Sequence, residues 1–169
     1  MNLERHSGAS GVGSRGPIRT IIAAWLVAGT ADITAASVYF PIAGRFRLIE
    51  LYQGIASGVL GANAFNGGVA AAMLGLLLHY LIALIWTTFF FLIYPRLKLL
   101  QKNRLGTAVG FAVFVSCVMS FLVLPLSNVF HAPFNFRHFL ISTAILMFTI
   151  GLPITTVVTN YYSTIDKNG

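Results

Sequence analysis

The chain has 169 residues, of which 57% are hydrophobic and 9% charged, with a formal net charge of +7. Soluble domains carry about 25% charged residues, and so short a chain cannot hide a mean hydropathy of +0.81 inside a water-soluble core, so lipid is the expected solvent. The cations flank apolar runs and form no aromatic-basic platform, which argues against a nucleic-acid partner.

Residues 1–17 are rich in Gly and Ser, carry Arg5 and Arg15, and lack the apolar content to fold. They read as a disordered cytoplasmic tail. The first apolar run, 18–40, is long enough to cross a bilayer, which takes about 20 residues. Its basic flank and small residues at Ala35 and Ala36 also suit a cleaved signal peptide, but the long leader and Asp32 favour a retained span. The next loop contains Leu48, Leu51, Tyr52, Ile55 and Val59 at helical spacing, with Glu50, Gln53 and Ser57 on the other side. That pattern predicts an amphipathic helix over 48–60 on the outer membrane surface. A re-entrant hairpin is the alternative, since Gly54, Gly58 and Gly61 permit close packing.

Three further spans follow, over 69–94, 105–124 and 138–162, with a short cytoplasmic tail at 163–169. Pro95 and Pro125 close the second and third, and Gly151 with Pro153 predicts a kink in the fourth. The fold class is therefore an all-α integral membrane four-helix bundle with an extra amphipathic helix in the first external loop. Arg5, Arg15, Arg19, Arg96, Lys98, Lys102, Arg104 and Lys167 fall on one side, against Arg45, Arg47 and Arg137 on the other. The positive-inside rule puts the group of eight, and both termini, in the cytoplasm. Trp25, Trp86, Tyr94, Tyr161 and Tyr162 lie toward that side as candidate interfacial anchors. A short echo between 91–95 and 121–125 (FLIYP and FLVLP) is the one hint of an internal repeat.

Asp32 is the first candidate for chemistry, because an acid within a span is costly and marks a functional site by default. Ala28, Gly29, Ala35 and Ala36 surround it on a small-residue stripe. His79 sits on a matching stripe with Ala71, Ala72, Gly75 and Ala83. At 1.5 Å per residue both lie at similar depth, about 12 and 15 Å below the outer end. The expectation is an Asp32–His79 hydrogen bond or ion pair, either a packing device or a proton or ligand site. Ser116, Ser120, Asn128 and Thr149 are secondary polar candidates. Ser142, Thr149, Thr156 and Asn160 recur at helical spacing, as glue between helices or the lining of a polar path. Cys117, the single cysteine, rules out an intrachain disulfide and reads as a small core residue. His131 and His138 are too few for a metal site, and Gly106-x-x-x-Gly110 suits close helix approach rather than phosphate. No phosphate loop, nucleophile elbow or H-E-x-x-H motif occurs, so neither a cofactor nor a catalytic residue is assigned.

The segments Gly75-Leu76-Leu77-Leu78-His79-Tyr80-Leu81-Ile82-Ala83 and Leu124-Pro125-Leu126-Ser127, with Tyr94, Gly106, Gly110 and Met119 between them, resemble a group of uncharacterised bacterial inner-membrane proteins, broadly YagU-like. The resemblance covers roughly the last two thirds of the chain, with Ser120 where that group often has asparagine. It implies a bacterial plasma-membrane protein and no defined activity. The sequence thus points to a multi-pass membrane protein of accessory or structural type. It would work with the lipid bilayer and with a second copy or another membrane protein. The alternative is a small carrier or channel subunit that uses Asp32 and His79 for a proton, ion or small solute.

Overall fold

The computed structural model describes residues 16–44, 47–127 and 135–168. The expected N-terminal tail up to residue 15, Arg45, Asn128 and His131 lie outside these residues. The described chain is helical: α1 (Pro17–Ile42), α2 (Leu48–Leu60), α3 (Gly68–Ile93), α4 (Lys98–Lys102), α5 (Arg104–Val118), α6 (Leu124–Leu126), α7 (Phe136–Leu146) and α8 (Leu152–Asn168). Two π-helical turns, Met119–Val123 and Met147–Gly151, join α5 to α6 and α7 to α8. Four continuous helices are long and apolar enough to cross a membrane: Pro17–Ile42, Gly68–Arg96, Arg104–Leu126 and Phe136–Lys167.

Their polarity is that of lipid-embedded helices, with large side chains outside and small ones inside. Along α3, Val69, Met73, Leu77, Leu81 and Ile85 form an exposed row at intervals of four, and Leu77 is 64% exposed. Ala71, Ala72, Gly75 and Ala83 are buried on the opposite side. Without water between them, membrane helices gain from close backbone approach, which small residues permit. At Gly29 of α1, an added methyl would meet the Tyr80 ring at 3.1 Å and Ala83 at 3.4 Å. At Gly151 it would meet the carbonyl oxygen of Ala108 at 2.4 Å.

The core lies toward the end of the bundle that carries Arg96 and Arg104. Phe90, Phe91 and Tyr94 of the second span meet Phe111 and Val115 of α5 there, with Ile150, Ile154 and Val158 of the last span. Tyr94 is buried and stacks on Tyr162, which also packs on Phe91 and donates to its carbonyl at 3.1 Å. The predicted interfacial anchors at this end therefore form an aromatic cluster that ties the second span to the last.

The helix predicted over 48–60 has those bounds, but its faces differ from the amphipathic reading. Leu51 of the predicted apolar face is buried, but so are Gln53, Ala56 and Ser57, while Leu48, Val59 and Leu60 are exposed. The cause is the notch at Gly75, where an added methyl would lie 1.8 Å from the Tyr52 carbonyl oxygen. Only a side of α2 with small or flexible groups can approach so closely. Gln53 then donates to the Gly68 carbonyl at 3.0 Å, and Tyr52 and Ser37 share a hydrogen bond of 3.0 Å. The crossing lies seven residues into α3, about 10 Å along its axis, so α2 is seated on the flank of α3. At its start, Glu50 accepts from the Arg47 N–H at 2.9 Å and from Arg47 Nε at 2.8 Å.

Both π turns precede a proline by one residue. Met119 through Leu124 leads to Pro125, and Met147 through Leu152 leads to Pro153. Proline has no N–H for the carbonyl four residues back and clashes with it, so the helix widens by a residue on the N-terminal side. The echo seen at 91–95 has no such counterpart, since Tyr94–Arg96 is a tight 3-10 turn.

Two outcomes are expected. Gly75→Ala lowers unfolding free energy in detergent by roughly 3 kcal/mol, the upper end of overpacking costs. Gly54→Ala, whose added methyl meets nothing within 4 Å, holds or gains stability; equal losses at both sites would disprove the notch. The backbone and side-chain hydrogen bonds from Arg47 hold Glu50 below the usual glutamate range, with the nearby Arg47 charge adding to the effect. A depressed carboxylate stabilises at pH above its unfolded value, and that gain is lost as pH falls through the folded one. Amide protection at the start of α2, taken relative to the intrinsic exchange rate at each pH, is therefore expected to be full near neutrality and to fall only well below about pH 4.3, and Glu50→Gln removes this step.

Candidate functional site

The site is built where α1, α3 and the π turn of the last span meet. Gly29 lets α1 rest on the Tyr80 ring, and two reciprocal side-chain bonds lock the contact. Trp25 Nε1 of α1 donates to the Tyr80 carbonyl of α3 at 2.7 Å. His79 Nε2 of α3 donates to the Gly29 carbonyl of α1 at 3.0 Å. A third bond, 3.0 Å between Thr30 Oγ1 and the Tyr80 hydroxyl, completes the join. Trp25, expected as an interfacial anchor, is thus a half-buried helix-to-helix donor.

The two small-residue stripes meet at the expected level, but the direct Asp32–His79 hydrogen bond does not form. Asp32 lies three residues beyond Gly29, which rotates it about 60° around the helix from the residue His79 reaches. Its carboxylate turns to the last span, where Thr149 Oγ1 lies 2.8 Å from Oδ1. Both Asp32 and His79 are half-buried.

Thr149 also lies 3.0 Å from the Ile145 carbonyl oxygen. Its hydroxyl has one proton and faces two acceptors. With Asp32 ionised, the proton goes to the carboxylate. With Asp32 protonated, the acid donates to Thr149, and Thr149 donates on to Ile145. The contact therefore accommodates either state of Asp32 without moving a heavy atom. Oδ2 of Asp32 has no hydrogen-bond partner among the described residues.

The other sequence candidates do not join this group. Ser116 is buried on α5 with its hydroxyl unpartnered, as are Thr155 and Thr159 on α8. Ser120 is half-buried in the first π turn, and Asn128 is outside the described residues. The predicted row Ser142, Thr149, Thr156 and Asn160 does not share one face. Thr149 is buried, Thr156 is exposed, and Asn160 accepts from Arg104 at 3.1 Å. The π turn adds a residue and breaks the register on which that row relied. Tyr80 and Thr30 were not singled out, because a tyrosine and a threonine in apolar runs carry no signal until their partner is known.

Among the described residues, the cavities flanking the bundle include these three. One of about 950 Å³ runs along the outward face of α1 past Thr30, Thr34 and Val38. A second, of about 590 Å³, lies between Phe89 of α3 and the start of α5. A third, of about 330 Å³, sits beside Tyr39, Arg137 and His138. Neither Asp32 nor His79 lines any of the three.

Fold and site together define a membrane protein with an all-α bundle and one acid held between helices. The chain matches no family model, no curated protein and no solved structure.

Removing the donor should be felt more than removing the imidazole. Thr149→Val is expected to cost about 1 kcal/mol of stability, the low end for an acceptor left unpaired, because the Asp32 carboxylate is half-buried, and Thr149→Ser to restore it. His79→Phe should cost nearer 0.6 kcal/mol, roughly the average for a hydrogen bond between membrane helices. Reversible unfolding in detergent measures both; a silent Thr149→Val would show that Asp32 is held by something else.

Proposed function

We propose that the chain is an accessory or structural protein of the bacterial inner membrane. It crosses four times with both termini in the cytoplasm, and it acts by binding a membrane partner or a second copy of itself. The observation that carries this reading is the closed state of the polar group. Asp32 is bonded across helices to Thr149, His79 is spent on a backbone carbonyl, and no cavity described above is lined by either. Such a group serves to fix helix positions. The excess of cations on the side of Arg96 and Lys102 supports the orientation, and the resemblance to YagU-like proteins supports the bacterial membrane. The open face of α1, with Thr30, Thr34 and Val38 exposed and Ala31 and Ala35 between them, suits the docking of a partner helix.

One observation favours a carrier of protons or small cations instead: the free Oδ2 of Asp32, next to a hydroxyl that can pass its proton either way. The two readings separate on one variant. Asp32→Asn is expected to lower the abundance of the protein in membranes and its melting temperature. Proton and sodium flux into proteoliposomes should equal the protein-free background for both wild type and variant. Wild-type flux that disappears in Asp32→Asn at normal abundance would replace the accessory reading with the carrier.

A further inference from the structure

The cavity between α3 and α5 has features that the bundle itself does not use. Its floor is the Gly106-x-x-x-Gly110 face of α5, a motif that ordinarily brings a second helix into contact. Here no helix fills it, since a methyl added at Gly110 meets nothing within 4 Å. The second span and α5 touch across it through rings: Phe89 stacks on Phe114 at 5.8 Å and Phe90 meets Phe111 at 4.5 Å. From Asn103 at its mouth to Phe114 at its far end is eleven residues, about 16 Å, close to the depth of one leaflet of a hydrocarbon core about 30 Å thick.

The mouth is cationic. Residues 96–104 contain Arg96, Lys98, Lys102 and Arg104 and no acid. Arg96 donates to the Leu92 carbonyl and Arg104 to Asn160. Lys98 and Lys102 have no partner among the described residues, and Lys102 lines the cavity. Asp166, the acid at this end of the chain, is on α8 and lines no part of it.

We propose that this groove is a binding site for one anionic glycerophospholipid. An acyl chain lies over Gly106 and Gly110 against Phe89, Phe111 and Phe114, and the phosphate is held by Lys98 and Lys102. Basic pockets between transmembrane helices take such headgroups. A second copy of the chain fits the same groove poorly. It would bring two sets of four cations together with no acid between them, and α4 with its flanking Leu97 roofs the end where a helix would have to continue.

Trp86 packs against three walls of the groove, Phe89, Phe111 and Phe114, at ring distances of 6.0, 6.4 and 5.8 Å. It is one of two tryptophans, so a Trp25→Phe variant leaves it as the sole reporter. In phosphatidylcholine vesicles, tail-brominated phosphatidylglycerol at low mole fraction is expected to quench Trp86 well beyond the same fraction of tail-brominated phosphatidylcholine. Lys98→Gln with Lys102→Gln should weaken that preference about tenfold to thirtyfold, as about 1 kcal/mol per cation predicts. Because Trp25→Phe removes a helix-to-helix bond, native mass spectrometry of the wild-type chain provides a second reading. It should retain phosphatidylglycerol over phosphatidylcholine, and the double lysine variant should not. Equal quenching by the two lipids, or a preference that survives loss of both lysines, overturns the site. So does disulfide dimerisation of Gly110→Cys in a Cys117→Ser background without preferential quenching, because a second copy would then fill the groove.

Discussion

Hydrocarbon offers no hydrogen bonds, and that constraint shapes each polar contact within the bundle. A side-chain donor inside the spans gains most from an acceptor on the protein itself, and the nearest acceptors are helix carbonyls that already have one bond; the buried hydroxyls of Ser116, Thr155 and Thr159 go without one. Trp25 takes the Tyr80 carbonyl, His79 takes the Gly29 carbonyl, and Tyr162 takes the Phe91 carbonyl. Each bond runs from one helix to the backbone of another, so satisfying a side chain also fixes the pairing of two helices. The first two are reciprocal across α1 and α3, which restrains both sliding and rotation at that contact. They form because Gly29 and Ala83 leave the two backbones near enough for an indole and an imidazole to reach across.

Asp32 is the exception, because a carboxylate accepts and cannot use a carbonyl. It requires a donor, and a helix in its regular part has only side chains to give. The π turn at Met147–Gly151 meets this need. Pro153 removes one N–H from the last span, the turn widens, and Thr149 within it bonds to Asp32 of α1. The same combination of a methionine, a widened turn and Leu-Pro recurs at Met119–Pro125, where no acid is paired and Ser120 stays half-buried. The comparison separates two roles. Proline accompanies both widened turns, and only the one that contains a threonine, Met147–Gly151, bonds across helices to an acid.

The fold was largely legible in the sequence, and the site only in part. Long apolar runs ended by Pro95 and Pro125 mark helices, because span length and proline act locally on the chain. The stripes at Gly29 and Ala83 were legible for a similar reason, since small residues at helical spacing leave a narrow choice of packing face. The partner of Asp32 was not. Asp32 and His79 were matched by depth, which their distances from the loop give, but hydrogen bonding also depends on rotation about the helix axis. Depth alone leaves undetermined how α1 is turned about its axis toward α3, and so whether Gly29 or Asp32 faces His79. The row from Ser142 to Asn160 failed on the same ground, because a π turn changes rotation while leaving composition unchanged. For α2, the hydrophobic pattern gave the bounds and the burial of Leu51, and missed that of Gln53 and Ser57. A glycine notch at Gly75 selected the thin side of the helix, and in lipid close contact outweighs the burial of large apolar groups, which gain nothing by leaving the hydrocarbon.

That last balance bears on how the bundle's glycines differ. Where a glycine meets backbone, as at Gly75 and Gly151, the helices are locked and a methyl cannot be added. Where a glycine meets nothing, as at Gly110, the protein has left a close-approach surface unused, although its second span stands on the other side of the groove. Phe89, Phe90, Phe111 and Phe114 hold the two helices apart at ring thickness, so the gap is maintained by large side chains and is not a packing fault. Helices held apart in this way gain less dispersion energy than helices in contact. Such a gap is open to the tails of surrounding lipid, and Lys102 lines its mouth. The closed polar joint at Asp32 and the open groove at Gly110 are thus opposite solutions to one packing problem, set by whether a small residue is given a helix to meet.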